Sequence, residues 1–150
     1  MVFKKRDKKF EHEITKTFQD GSVICREGDL SREMFVIRSG IVEVSKSLAD
    51  KEVVLARLYR GDFFGEMALL ESEPRSATVR AVGEVTLNVI HTGGFLLKIR
   101  RDPTFAFEML QRLSGRIRAS NERLVDLTNT LDKGGVVSSA DLEKILDGQS

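Results

Sequence analysis

Between Phe63 and Ala81 the chain reads FFGEMALLESEPRSATVRA. A glycine, a carboxylate and an arginine fall close together there, as Gly65, Glu66 and Arg75. An arginine presents a planar fork of N–H donors and grips a phosphate through two parallel, charge-assisted hydrogen bonds. A carboxylate only accepts hydrogen bonds, so it suits a sugar hydroxyl. A glycine beside a helix start lets a ligand approach backbone N–H groups that carry partial positive charge. Gly65 and Ala77 are the expected backbone donors, and Ser76 brings a hydroxyl directly after the arginine. The segment therefore offers a seat for an anion and a seat for a ribose. Each residue also has a purely structural reading. Arg75 follows Pro74 as a surface turn arginine would, and Glu66 complements a helix dipole. Gly65 suits a tight turn, and Ser76 can bond its own backbone.

Short β-like runs must position these groups. They recur over Ile14–Phe18, Ser22–Arg26, Met34–Arg38, Ile41–Lys46, Val53–Leu58, Thr78–Val82 and Val85–His91. Several alternate apolar and polar residues, as half-buried strands do. Turn signals separate them: Asp20-Gly21, Gly28-Asp29, Ser39-Gly40, Ala49-Asp50, Gly61-Asp62 and Gly83. Short strands at intervals near ten residues predict a sandwich or barrel rather than a βαβ sheet.

After Gly93-Gly94 the period changes. Phe95 to Arg101 forms a short predicted helix that stops before Pro103. Thr104 to Leu131 reads as one long helix. Its residues Leu110, Leu113, Ile117, Ser120, Leu124, Leu127 and Leu131 alternate spacings of three and four. That is a heptad seam with one polar position, Ser120, and it predicts a homodimer through the helix 104–131. The other reading packs the same stripe on the chain's own strands. In the tail, Gly134-Gly135 ends the helix, and Ser138 or Ser139 caps a further short helix over Ala140 to Leu146.

The chain has 150 residues, with 41% hydrophobic and 31% charged, which suits one soluble domain with its own core. A net charge of +1 gives no argument for nucleic acid or an anionic membrane. No apolar run is long enough for a bilayer, and no apolar core follows the basic start MVFKKRDKKF. A single cysteine, Cys25, cannot form an intrachain disulfide, and the expected location is the cytoplasm. His12 and His91, the only histidines, lack metal-ligand spacing. No nucleophile–base arrangement is evident, so no enzyme, metal or cofactor is expected.

The stretch from Phe63 to Ala81 resembles the phosphate-binding cassette of the cyclic-nucleotide-binding domain. That family includes catabolite-activator regulators, regulatory subunits of cyclic-nucleotide-dependent kinases, and cyclic-nucleotide-gated channels. Phe64, Gly65, Glu66, Ala68, Leu69, Pro74, Arg75, Ala77, Thr78 and Val79 match the family pattern. The likeness covers about residues 14 to 131, including the strand–turn stretch SVICREGDLSREMFVIRSGIVEV.

The resemblance implies an antiparallel β-roll of jelly-roll type over residues 14–92, followed by helices over 94–131. A basic extension over 1–13 and a tail over 132–150 flank it. It implies a cyclic mononucleotide, cAMP or cGMP, as ligand. Phe64, Gly65, Glu66, Met67, Ala68, Arg75, Ser76 and Ala77 form the implied cassette site. In the family, alanine after the arginine goes with cAMP and threonine with cGMP; Ser76 is neither. Ser120 and Asn121 align with the positions that contact the purine in catabolite activators. Ser120 equally suits a polar residue that sets helix-pair register.

The tail is too short for the helix-turn-helix those activators carry, so direct DNA contact is not expected. The expected function is cyclic-nucleotide sensing, with binding repositioning the long helix for an unnamed effector protein. The alternative is a dimerisation or interaction module without ligand.

Overall fold

The computed structural model describes residues 13–132. The basic extension, apart from Glu13, and the expected tail helix lie outside the described residues. The chain divides into two units, Met1–Ala106 and Phe107–Ser150.

The first unit is built on one antiparallel sheet of six strands. They are β1 (Glu13–Phe18), β2 (Val23–Cys25), β3 (Met34–Leu48), β4 (Lys51–Leu58), β5 (Phe63–Phe64) and β6 (Thr78–Ile90). The strand order is β1-β6-β3-β4, with β2 also pairing β6 and β5 also pairing β3. Helix α1 (Glu66–Glu71) lies between β5 and β6. Helices α2 (Thr92–Arg101) and α3 (Pro103–Asp132) follow the sheet. The expected fold class, antiparallel strands then C-terminal helices, is the one observed.

Period-two patterning in β6 turns Val85, Leu87 and Val89 into one core cluster with Phe35, Ile37 and Val42 of β3. Val85, Leu87 and Val89 of β6 are fully buried, together with Met34, Ile37 and Val42 of β3 and Ile90. Each such side chain contributes about 1.5–3 kcal/mol through burial. Between the β6 residues, Thr86 and Asn88 are half-buried and pair with Thr17 and Thr15 of β1. The Thr15 hydroxyl donates to Asn88 Oδ1 at 3.2 Å, and Thr17 and Thr86 share a hydrogen bond of 3.3 Å.

Two expectations about strands need correction. Met34–Arg38 and Ile41–Lys46 are one strand, β3, and Thr78–Val82 and Val85–His91 are one strand, β6. Ser39-Gly40 and Gly83 bend these strands instead of ending them. β3 and β6 stay paired from Met34↔Ile90 to Ser45↔Thr78, with the register slipping on either side of Ser39. Gly40 has φ 91°, and a Cβ there would stand 2.4 Å from the Glu84 carbonyl oxygen. The strand crosses its neighbour too closely for a side chain. α2 likewise starts at Thr92 rather than Phe95, because Gly93-Gly94 are accommodated in its first turn.

β3 and β4 are joined by Ala49 and Asp50, both left-handed with φ of 50° and 61°. This is the geometry of a type I′ hairpin turn. β4 carries a bulge opposite Val44 and Ser45. There the buried Ser45 donates to Glu52 Oε1 at 2.5 Å, and Arg80 Nη1 also pairs with Glu52. These two hydrogen bonds hold the Glu52 carboxyl below its ordinary value, the Ser45 contact first and the Arg80 contact second.

α2 stops where Pro103 follows. Asp102 then caps α3, its Oδ1 accepting from Phe105 N at 3.3 Å. Phe105 packs edge-on against Phe95 of α2 at 6.4 Å. α3 has 30 residues, so it is about 45 Å long. Among the described residues no helix is long and apolar enough to cross a membrane.

Candidate functional site

Arg75 lies just before β6 and is only 4% exposed. Its main chain is clamped to the loop between β2 and β3. Gly28 N donates to Arg75 O at 2.8 Å, and Arg75 N donates to Asp29 O at 2.7 Å. That loop is itself tied by a turn in which Asp29 N donates to Arg26 O at 3.1 Å. The guanidinium is therefore delivered from a fixed backbone.

Its donors are divided. Nε donates to Ser31 Oγ at 3.1 Å, and Nη1 donates to the Gly65 carbonyl at 3.3 Å. The guanidinium carbon lies 5.5 Å from the Phe35 ring centroid, a cation–π contact. Nη2 is buried and has no hydrogen-bond partner among the described residues. Buried polar nitrogens are nearly always paired, because an unpaired one loses its water without compensation. A charged donor left open in this way is able to hydrogen-bond an anionic acceptor.

Gly65 closes the other side. Its φ is 83°, and a Cβ would lie 2.6 Å from Arg75 Nη1 and 2.7 Å from Glu33 O. Only glycine lets backbone, loop and guanidinium meet there. Glu66 follows as the first residue of α1 and is 9% exposed. Ala68 and Leu69 of the same helix are buried and fix it to the sheet. Phe64 anchors the approach, its ring stacked on Phe35 at 4.9 Å. Met67 is exposed, and its sulfur accepts from the Ser76 hydroxyl at 3.8 Å. Ala77 is half-buried, immediately before β6.

The structure thus joins Gly65 directly to Arg75, places Phe64 and Arg75 on the same ring, and pairs Met67 with Ser76. Ser120 and Asn121 lie on α3 in the second unit, half-buried and exposed respectively. Two contributors were missed in the sequence, Ser31 and Phe35. Ser31 is one polar loop residue among several, 44 positions from its partner. Phe35 reads as any aromatic of a buried strand. Cys25 is buried, and burial pushes its thiol up, with the Arg75 charge acting in the opposite sense.

The profile described as cyclic nucleotide-binding domain matches residues 15–102, more than half of the chain. The chain belongs to the cyclic-nucleotide-binding domain family. It is similar to the cyclic AMP receptor protein of Thermus thermophilus, with 33% identity across 71% of this chain and 50% of the relative. It is also similar to a cAMP-dependent protein kinase regulatory subunit of Debaryomyces hansenii, with 40% identity across 54% of this chain and 17% of the relative. Among solved structures, the Thermus thermophilus catabolite activator protein superposes with a TM-score of 0.72 at 29% identity. That match covers 85% of this domain's chain and 61% of the other. The regulatory domain of Toxoplasma gondii PKA, crystallised with cAMP, superposes with a TM-score of 0.58 at 25% identity. It covers 71% of this chain and 40% of the other. The chain spans half or less of the length of these curated relatives.

Proposed function

We propose that this domain is a non-catalytic sensor that binds a cyclic mononucleotide at Arg75 and Glu66. The observation that carries the reading is the buried, unpartnered Nη2 of Arg75. The exocyclic phosphate oxygens fill that open donor, and the Gly65 and Ala77 amides assist. Glu66 accepts from the ribose 2′-hydroxyl. cAMP is the first candidate, since the similar receptor protein and kinase subunits are named for it. Ser76 leaves cGMP as the second. Among the described residues no cluster of three His, Cys, Asp or Glu side chains is placed to hold a metal ion. The same reading keeps the domain in the cytoplasm.

Output runs through α3, where Ser120 and Asn121 contact the purine and binding repositions the helix for an effector protein. A ligand shifts such an equilibrium only by binding the two states differently, and a base contact made in one state alone supplies that difference. The heptad seam on α3 forms a homodimer, supported by Leu110 and Ile117, each 63% exposed on the single chain.

Calorimetric titration with cAMP, cGMP and 5′-AMP tests the binding. Selective binding of a cyclic nucleotide is expected. Arg75→Ala weakens it by about 1.5–3 kcal/mol, the range for a hydrogen bond to a charged group. The 2′-deoxy cyclic nucleotide binds less tightly if Glu66 holds the sugar. Equal affinity of wild type and Arg75→Ala removes the arginine from the site, and no binding of any cyclic nucleotide overturns the reading.

A further inference from the structure

We infer that Ser31 is a positioning residue for Arg75, its hydroxyl holding the guanidinium in the orientation that receives the ligand's anionic oxygens. The inference rests on the reading of Arg75 as the phosphate-gripping group. A guanidinium is planar, so fixing two of its donors in the plane fixes the direction of the third. Here Nε is fixed on Ser31 Oγ at 3.1 Å and Nη1 on the Gly65 carbonyl at 3.3 Å. Nη2 is left buried and open. Ser31 is the only side chain among these two acceptors, and therefore the one that substitution can remove.

Both acceptors are neutral. They orient the guanidinium without cancelling its charge, so the full attraction is kept for an incoming anion. The same loop that carries Ser31 also grips the Arg75 main chain through Gly28 N and Asp29 O. Loop and arginine are thus joined at three points, two of backbone and one of side chain. Ser31 is exposed, as are its neighbours Leu30 and Arg32, so packing places no demand on its hydroxyl. The side-chain contact it makes is with the arginine.

The test compares wild type with Ser31→Ala and Ser31→Thr, using whichever cyclic nucleotide the wild type binds. Ser31→Ala lowers affinity about tenfold, the factor that corresponds to 1.4 kcal/mol. Ser31→Thr restores it to within about twofold of wild type, because it keeps the hydroxyl. The melting temperature without ligand is the same in all three proteins. In nitrogen-edited NMR spectra, the Arg75 Nε–H signal is protected from exchange in wild type and Ser31→Thr and lost to exchange in Ser31→Ala. Unchanged affinity in Ser31→Ala, or a fall in affinity matched by a fall in melting temperature, overturns the positioning role. A wild type that binds no cyclic nucleotide fails differently: it removes the proposed function, and this role with it.

Discussion

Burying a charge costs several kcal/mol unless partners replace the lost water, and Arg75 has a hydroxyl, a carbonyl and a ring face but, among the described residues, no partner for Nη2. On the proposed reading the residue serves ligand binding rather than stability. Arg75→Met, which fills similar volume without charge, should leave the melting temperature of the ligand-free protein within a few degrees of wild type. It should also abolish the rise in melting temperature that the cyclic nucleotide gives the wild type. A large loss of stability without ligand would show that the arginine is a structural strut. Glu66 and Arg75 stood out in the sequence as a candidate pair because both sit in one short segment, nine positions apart. Ser31 was not legible, since a loop serine declares no partner until the fold brings one to it.

Strands and turns were legible from alternation and from glycine, but the meaning of the glycines was not. A glycine inside an alternating run reads as a turn, yet Gly40 marks a close crossing of β3 over β6. Gly40→Ala combines a left-handed backbone with a clash against a main-chain oxygen, so a loss of about 1–3 kcal/mol or more is expected in urea unfolding. Stability equal to wild type would contradict the close crossing. The bulge on β4 supplies a second test, through Glu52. Its folded carboxyl titrates below its ordinary value, so it contributes stability above that value and loses it as pH falls toward the folded one. The stability difference between wild type and Glu52→Gln should therefore be full at neutral pH and shrink through the acid range below the ordinary carboxylate value. A difference independent of pH would remove the Ser45–Glu52–Arg80 link as its source.

At the scale of the molecule, the sequence showed a β-rich part followed by helices, because the apolar period changes from two to a three-and-four pattern after Gly94. It could not show what covers the α3 seam, since one stripe serves a partner helix or the chain's own core equally well. Ile117→Glu decides between them for this protein. A charge at an exposed seam position should convert a dimer to a monomer in sedimentation equilibrium, with little change in the circular dichroism of the β-rich unit. Hydrogen exchange over residues 107–132 with and without cyclic nucleotide should show increased protection if α3 responds to binding. Such experiments are simplified by Cys25, the chain's one thiol. Thiol-directed reagents attack the thiolate, and a buried sulfhydryl with a raised proton affinity offers little of it at neutral pH. A fluorophore or spin label aimed at a cysteine newly placed on an exposed α3 position would then react at that position alone, with the native residue left unchanged.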